Sequence, residues 1–322
     1  YLLQNRLFFK PINSPFSADL QARAIWRDIE RNTRYVSLRN LSNSAFDTRI
    51  EELRLELSST VNYKSENTNM SFRFSFSERE EKHQPRKISG MSSIVLNDLE
   101  KNEALKNSIS QLANLAFSGS FQLSSKNNLI VSFFHRKLKY DTPSNDNYDD
   151  RDELLLISRV RFERQFNPYF LAFADVEGSL NKIVYIFAER SSNNNIQRIL
   201  KLSSGGTFTL GKLKSFNSAE VSANYTVFDY EELNPNFKSY SFRQILLRDS
   251  TNFQLTKKIN LFFTGYVKHS EQGDFKWSNF TANPSRYLEE YYFEPKLFYN
   301  LYNKPFYINF VNIFIFHISS SA

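Results

Sequence analysis

The sequence predicts an all-β chain, an antiparallel up-and-down transmembrane β-barrel of about 12–14 strands with short turns alternating with long loops. Three observations lead there. Apolar and polar residues alternate with a period of two from Leu53 onward. Several alternating runs are long, from 12 residues (113–124) to 18 (239–256). Strands of soluble domains cluster near roughly 5–6 residues, whereas a tilted membrane strand needs about 9–11. The connections also alternate in kind. Short turns are expected at 64–69, 125–128, 167–169, 211–216, 257–258 and 303–304, and longer polar loops at 78–111, 141–152, 188–195, 231–238 and 271–286.

Residues 1–52 form an N-terminal region of the barrel or a lead-in to it, and 53–322 the barrel domain. The first residue is Tyr1 and no signal-like segment follows it, which predicts a processed form or an internal fragment. Residues 17–32 allow two readings. One is a helix capped by Ser17 with Leu20, Ala24, Ile25 and Ile29 on one side. The other, which barrel context favours, is a strand through Leu20, Ala22, Ala24 and Trp26.

The alternation is then regular. Leu53, Leu55, Leu57, Val61 and Tyr63 share a parity opposite Arg54, Glu56, Ser58, Thr60 and Asn62. Met70, Phe72, Phe74 and Phe76 alternate with Ser71, Arg73, Ser75 and Ser77, and Ala219, Val221, Ala223, Tyr225 and Val227 with Ser218, Glu220, Ser222, Asn224 and Thr226. A helix needs apolar residues at i, i+3, i+4 and i+7, which these windows lack. Within the longest loop, residues 97–111 predict a helical insert capped by Asn97, with Glu100 completing a capping box. The most apolar run, 306–318, is 13 residues long, too short for a membrane helix and ample for a strand.

Composition narrows the function classes. The chain has 322 residues, 32 Phe, 17 Tyr, 8 Gly and no Cys, with net charge +7 and mean hydropathy −0.49. Disordered chains are poor in aromatics, so disorder is excluded. The missing Cys excludes disulfides, thiolate metal sites and a cysteine nucleophile. No apolar stretch of about 18 residues exists for a membrane helix. Lys and Arg are dispersed rather than clustered, so nucleic acid is not an expected partner. A net positive charge suits anionic outer-leaflet lipid, including lipopolysaccharide.

Candidate sites follow from the faces. A three-residue loop at Asn167, Pro168 and Tyr169 pairs Phe166 with Phe170, sets Arg159 opposite Glu177 and Arg161 opposite Asp175. The expected lumen-facing charges are Arg159, Arg161, Glu163, Asp175, Glu177 and Glu220, acting as solvated ion pairs that fix register or as a selectivity ring. Tyr287, Tyr291, Tyr292, Phe293 and Tyr299 are expected as membrane-interface aromatics near strand ends. Asn145, Asn147 and Asp149 have the alternate spacing that opens a calcium loop, but Asp150 stands where the glycine belongs, so a solvated loop is the simpler reading. His83, His135, His269 and His317 have no metal-ligand spacing. His135 lies on a strand next to that of Ser118 and Ser120, yet no nucleophile motif surrounds either serine. No catalytic residue, metal or cofactor is assigned.

The segments 223–230 (ANYTVFDY), 238–244 (KSYSFRQ), 249–256 (DSTNFQLT), 265–277 (GYVKHSEQGDFKW) and 140–154 (YDTPSNDNYDDRDEL) resemble a group of bacterial outer-membrane β-barrel proteins of porin-like architecture. The resemblance covers about residues 112–301 and implies an outer-membrane location in a Gram-negative bacterium without implying a reaction. The group's last hairpin alternates normally, whereas 306–316 is apolar on both faces, so an altered or truncated end is expected. Together these readings predict a pore or transport channel for small polar solutes, or alternatively a non-conducting scaffold that anchors a partner or surface polymer.

Overall fold

A computed structural model describes residues 1–34, 45–85, 92–232, 236–301, 304–306 and 314–321. The strands are β1 (Leu2–Phe9), β2 (Phe16–Arg34), β3 (Ala45–Lys64), β4 (Thr68–Pro85), β5 (Ser108–Ser124), β6 (Asn127–Asp141), β7 (Arg151–Asn167) and β8 (Phe170–Tyr185). They continue with β9 (Asn195–Leu210), β10 (Leu213–Phe228), β11 (Tyr240–Gln254), β12 (Ile259–Lys276), β13 (Thr281–Leu301), β14 (Lys304–Phe306) and β15 (Phe314–Ser321). One helix, α1 (Ser93–Ala104), lies between β4 and β5, and a 3-10 turn, Ala188–Asn193, between β8 and β9. Strands β1 to β13 pair antiparallel in sequence order, the up-and-down meander that alternation implies. Both β14 and β15 pair with β13, at Tyr299–Leu301 and Arg286–Phe293 respectively. Among the described residues β1 pairs only with β2.

Residues 17–32 are strand, with Leu20, Ala22, Ala24 and Trp26 on one face, and β2 runs the full hairpin with β3. The helical insert differs from the expected one. It starts four residues earlier, where Ser92 accepts a hydrogen bond from Val95 N at 3.3 Å, and Asn97 is internal to it. Residues 108–111 belong to β5, because their backbone continues the ladder with β4 from Ser108↔Glu81. The expected loop at 271–286 shrinks to residues 277–280, and β4 continues to Pro85. In both places the ladder outlasts the hydrophobic alternation, which lapses beyond the apolar band. The turn expected at 211–216 is two residues, Gly211 and Lys212, with Gly211 at φ +56°, a left-handed value that glycine takes without strain. Of the apolar run 306–318, Phe306 and Phe314–Ile318 are in strands and the rest lies outside the described residues, as does Asn303 of the expected last turn.

The two faces are inverted relative to a soluble sheet. On β3, Glu52 is 4% exposed while Leu53 is 44% exposed. Among the described residues, the buried apolar side chains are Ile50, Phe173, Leu246 and Phe275, too few for an ordinary core. Register carries one face across the sheet: Leu55 and Leu57 beside Ala24 and Ala22, Phe76 beside Ala113, Val131 beside Val160, and Val176 beside Leu202. These side chains form the outer, apolar face. The inner face holds most of the charged and amide residues of the band.

Near the short-turn ends, the outer face carries Phe16, Tyr63, Phe121, Phe162, Phe208 and Phe253. Phe16 and Tyr63 pack with ring centroids 4.9 Å apart. Trp26 stands ten residues above Phe16 on β2, at the other edge of the band. Ten residues at roughly 3.3 Å each, tilted by about 40°, span about 25 Å, the height of an outer-membrane barrel's apolar belt.

Candidate functional site: the charged inner wall

The six predicted charges Arg159, Arg161, Glu163, Asp175, Glu177 and Glu220 share the inner face, and they do so because β7, β8, β9 and β10 are in unbroken register there. Arg159 stands opposite Glu177 and Arg161 opposite Asp175 as expected, but the loop is two residues, Pro168 and Tyr169: Asn167 rather than Phe166 pairs with Phe170, and a bulge at Phe166 restores the register. The Arg159 pair nevertheless runs diagonally, while Arg161 and Asp175, and Glu177 and Lys201, pair directly across. Arg159 Nε donates to both Asp175 oxygens at 2.9 Å, and its terminal nitrogen also pairs with Asp175. Arg161 Nε donates to Glu163 at 2.8 Å, its Nη1 lies 3.8 Å from Asp175, and its guanidinium sits 4.0 Å over the Phe173 ring. Glu177 accepts from Lys201 Nζ at 3.0 Å. Glu220 lies on β10 opposite Ser203. Diagonal partners are within reach of long side chains, and the wide fork of arginine favours them.

A second network on β2, β3 and β4 had not been singled out in the sequence. Glu56 lies 2.6 Å from Arg54 and 3.6 Å from Arg23. Glu52 accepts from Arg79 at 2.9 Å and approaches Arg27 to 3.8 Å, and Arg79 reaches Glu81 at 2.8 Å. His83 is 3.2 Å from Glu81 and 3.7 Å from Glu103 of α1, and Lys106 pairs with Glu103 at 2.5 Å. In the ladder, Glu52 faces Glu81 and Arg54 faces Arg79, like charges directly across. Across β2 and β3 the pairs Arg23↔Glu56 and Arg27↔Glu52 are directly opposed, whereas the Glu52–Arg79 bond is diagonal. The network's legible signal was the inner parity of β3 and β4, which is as charged as that of β7 and β8. Glu103, which is buried, ties the end of α1 to this wall.

At the short-turn end the inner wall opens into a cavity of about 470 Å³ whose lining includes Lys64, Ser120, Lys126, Asn128, Glu163 and Gln165. Asn128 donates to Glu163 at 3.4 Å and accepts from Ser120 at 3.2 Å, joining the mouth to the β7–β8 network.

At the other end, Asn147 donates to the Leu105 carbonyl at 2.7 Å, and its side-chain oxygen accepts from Asp149 N at 3.0 Å. Asp149 pairs with Arg190 at 3.1 Å. These bonds tie the 142–150 loop to α1 and to the 3-10 turn. Among the described residues no group of three acidic or histidine side chains is placed to hold a metal. His135 is on the outer face opposite Leu115, while Ser118 and Ser120 are on the inner face. His269 is outer and 3.4 Å from Glu289, and the His317 side chain lies outside the described set.

The aromatics on β13 divide. Tyr287, Tyr291, Phe293 and Tyr299 share the outer parity, but Tyr292 is on the inner face, stacked on Tyr266 at 5.1 Å. Adjacent residues of a strand point to opposite faces, so Tyr291 and Tyr292 cannot both join one girdle. Tyr291 and Phe293 also lie in mid-strand rather than near a strand end, because β13 begins at Thr281.

No known protein family matches the chain by sequence, and no curated protein matches it. Among solved structures it is similar to one titled copper transporter OprC, with TM-score 0.51 and 10% sequence identity over 92% of this chain. The chain spans 52% of that structure's length. At this identity the likeness is one of fold, and the fold is that of an antiparallel up-and-down outer-membrane β-barrel.

Proposed function

We propose that the protein is an outer-membrane pore or transport channel for small polar solutes in a Gram-negative bacterium. The observation that carries this reading is the inverted sheet: a continuous charged and amide-rich inner face, from Arg23 on β2 to Lys201 on β9, backed by an apolar outer face. A lipid-exposed strand satisfies its backbone only within such a barrel, and the wet side is then the inside. The solved structure of similar fold is titled a transporter, which supports conduction as a class and leaves the solute to chemistry. That chemistry is balanced: Arg159, Arg161 and Lys201 face Asp175, Glu177 and Glu163, so the wall favours uncharged or zwitterionic polar solutes over either sign of ion. Outer-membrane lipid, including lipopolysaccharide, is the surrounding partner for a chain of net charge +7. No reaction and no cofactor are part of this reading.

Planar-bilayer recording on folded, purified protein tests it. Discrete conductance steps with little preference between cation and anion are expected. A folded protein that gives no steps overturns the pore and leaves the non-conducting scaffold.

A further inference from the structure

Four outer-face residues stand in one ladder row across four strands: Gly206 on β9, Asn217 on β10, Asp249 on β11 and Gly265 on β12. One step toward the turn, Ser215 is opposite Thr251. Thr251 Oγ1 donates toward Asp249 at 3.0 and 3.2 Å, Ser215 Oγ is 2.8 Å from Thr251 Oγ1 and 3.4 Å from Asp249, and Asn217 Nδ2 donates to Ser215 at 2.9 Å. Apolar groups surround this cluster on the same face, with Phe253 and Phe208 below it and Leu247, Ala219 and Val267 above. Asp249 is four residues above Phe253, which at roughly 3.3 Å per residue and a tilt of about 40° places it about 10 Å inside the aromatic edge of the band. A carboxylate facing hydrocarbon is costly and marks a contact or a function. Hydroxyl donors alone leave its charge without a strong partner, and the exposed Asn217 still has one N–H and its carbonyl oxygen to offer.

We propose that this row is the contact between two copies of the chain lying side by side in the membrane, an inference that rests on the outer-membrane barrel reading. The row reads Gly, Asn, Asp, Gly, which makes it self-complementary. A two-fold axis along the membrane normal, passing between β10 and β11, sets Asn217 against Asp249 of the partner subunit and the reverse. Closed two-fold interfaces use one patch on both copies. Gly206 lies under the Phe170 ring and Gly265 under Phe263 and Phe293, so aromatic rings flank the polar pair, and in hydrocarbon the paired amide and carboxylate replace contacts that lipid cannot make.

The full chain is refolded in detergent and its mass measured by sedimentation equilibrium, with heat-modifiable gel migration reporting barrel folding. A dimer is expected, and Asp249→Leu is expected to fold while raising the dimer dissociation constant by at least about tenfold, the loss of one charge-assisted hydrogen bond or more. A wild-type chain that folds and sediments as a monomer overturns the interface alone. A chain with no heat-modifiable form removes the barrel reading and the interface with it. A second measurement stands apart from Asp249. The chain lacks Cys, so Asn217→Cys gives a single thiol at the row and Ala22→Cys one on the far outer wall. Oxidation in vesicles is expected to cross-link the first and not the second, and equal cross-linking of both overturns the proposal.

Discussion

Asp175 is 6% exposed and Val176, the next residue on β8, is 48% exposed. In a water-soluble sheet the order is reversed, since burying a charge costs far more than burying a valine repays. The inversion is relieved when Val176 meets lipid and Asp175 meets Arg159 in a hydrated interior. Val176 lies six residues from Phe170 at the turn end of β8, near the middle of the apolar band. Val176→Arg is therefore expected to cost about 2–4 kcal/mol, the midplane penalty for a cation on a lipid-facing strand. Asp175→Asn, which leaves the part-exposed Arg159 its water, should cost less, about 1 kcal/mol. Urea unfolding in vesicles measures both, and equal costs would contradict the assignment of faces.

Arg161 bridges Glu163 and Asp175 and lies over Phe173, so its removal leaves two carboxylates of the inner wall with one cation fewer. In the pore reading, Arg161→Ala shifts the reversal potential in a salt gradient toward cation preference. The same shift should shrink as salt rises from 0.1 M to 1 M, where screening shortens from about 10 Å to about 3 Å.

Both tryptophans, Trp26 and Trp277, lie toward the long-loop edge of the band. Trp277 sits in the connection after β12, with Arg198 4.0 Å over its ring and Phe280 at 5.9 Å. Interfacial indoles prefer this level. Lipids brominated near the headgroup should quench the fluorescence more than lipids brominated at the chain end. Stronger quenching from the chain end would place the indoles at mid-membrane and contradict the 25 Å span inferred from about ten tilted residues.

Ser92 caps α1 through Val95 N. Ser92→Ala is expected to cost about 1 kcal/mol of local helix stability and to speed amide exchange in the first turn of α1 about fivefold, with the strands unaffected. Exchange that rises equally in β4 and β5 would show that the cap supports more than the helix.

The sequence made the faces legible because a strand has a period of two and the outer face within the band is mostly apolar. It also gave the register of β7 and β8, since a tight turn and two charge pairs agree on a single alignment. Strand ends were not legible. Beyond the apolar band at Glu78 or Glu271 the apolar–polar alternation lapses while the backbone ladder continues. The N-terminal charge network was not legible because its opposed pairs, Arg23↔Glu56 and Arg27↔Glu52, depend on a β2–β3 register that the open helix-or-strand reading of residues 17–32 did not fix. Tyr292 was misplaced by treating a cluster in sequence as a cluster in space. Helix α1 was placed late because Asn97 and Ser92 are both good caps, and the ladder with β4 takes the chain into β5 from Ser108 onward.

The most direct test is a single-cysteine scan along β8, from Ala172 to Ser179, in a chain that has no cysteine of its own. The folded protein in lipid vesicles is treated with a membrane-impermeant, water-soluble thiol reagent. Labelling should alternate, strong at Phe173, Asp175, Glu177 and Ser179 and weak at Ala172, Ala174, Val176 and Gly178. Uniform labelling, or the opposite alternation, would contradict a barrel with an apolar outside and a hydrated inside.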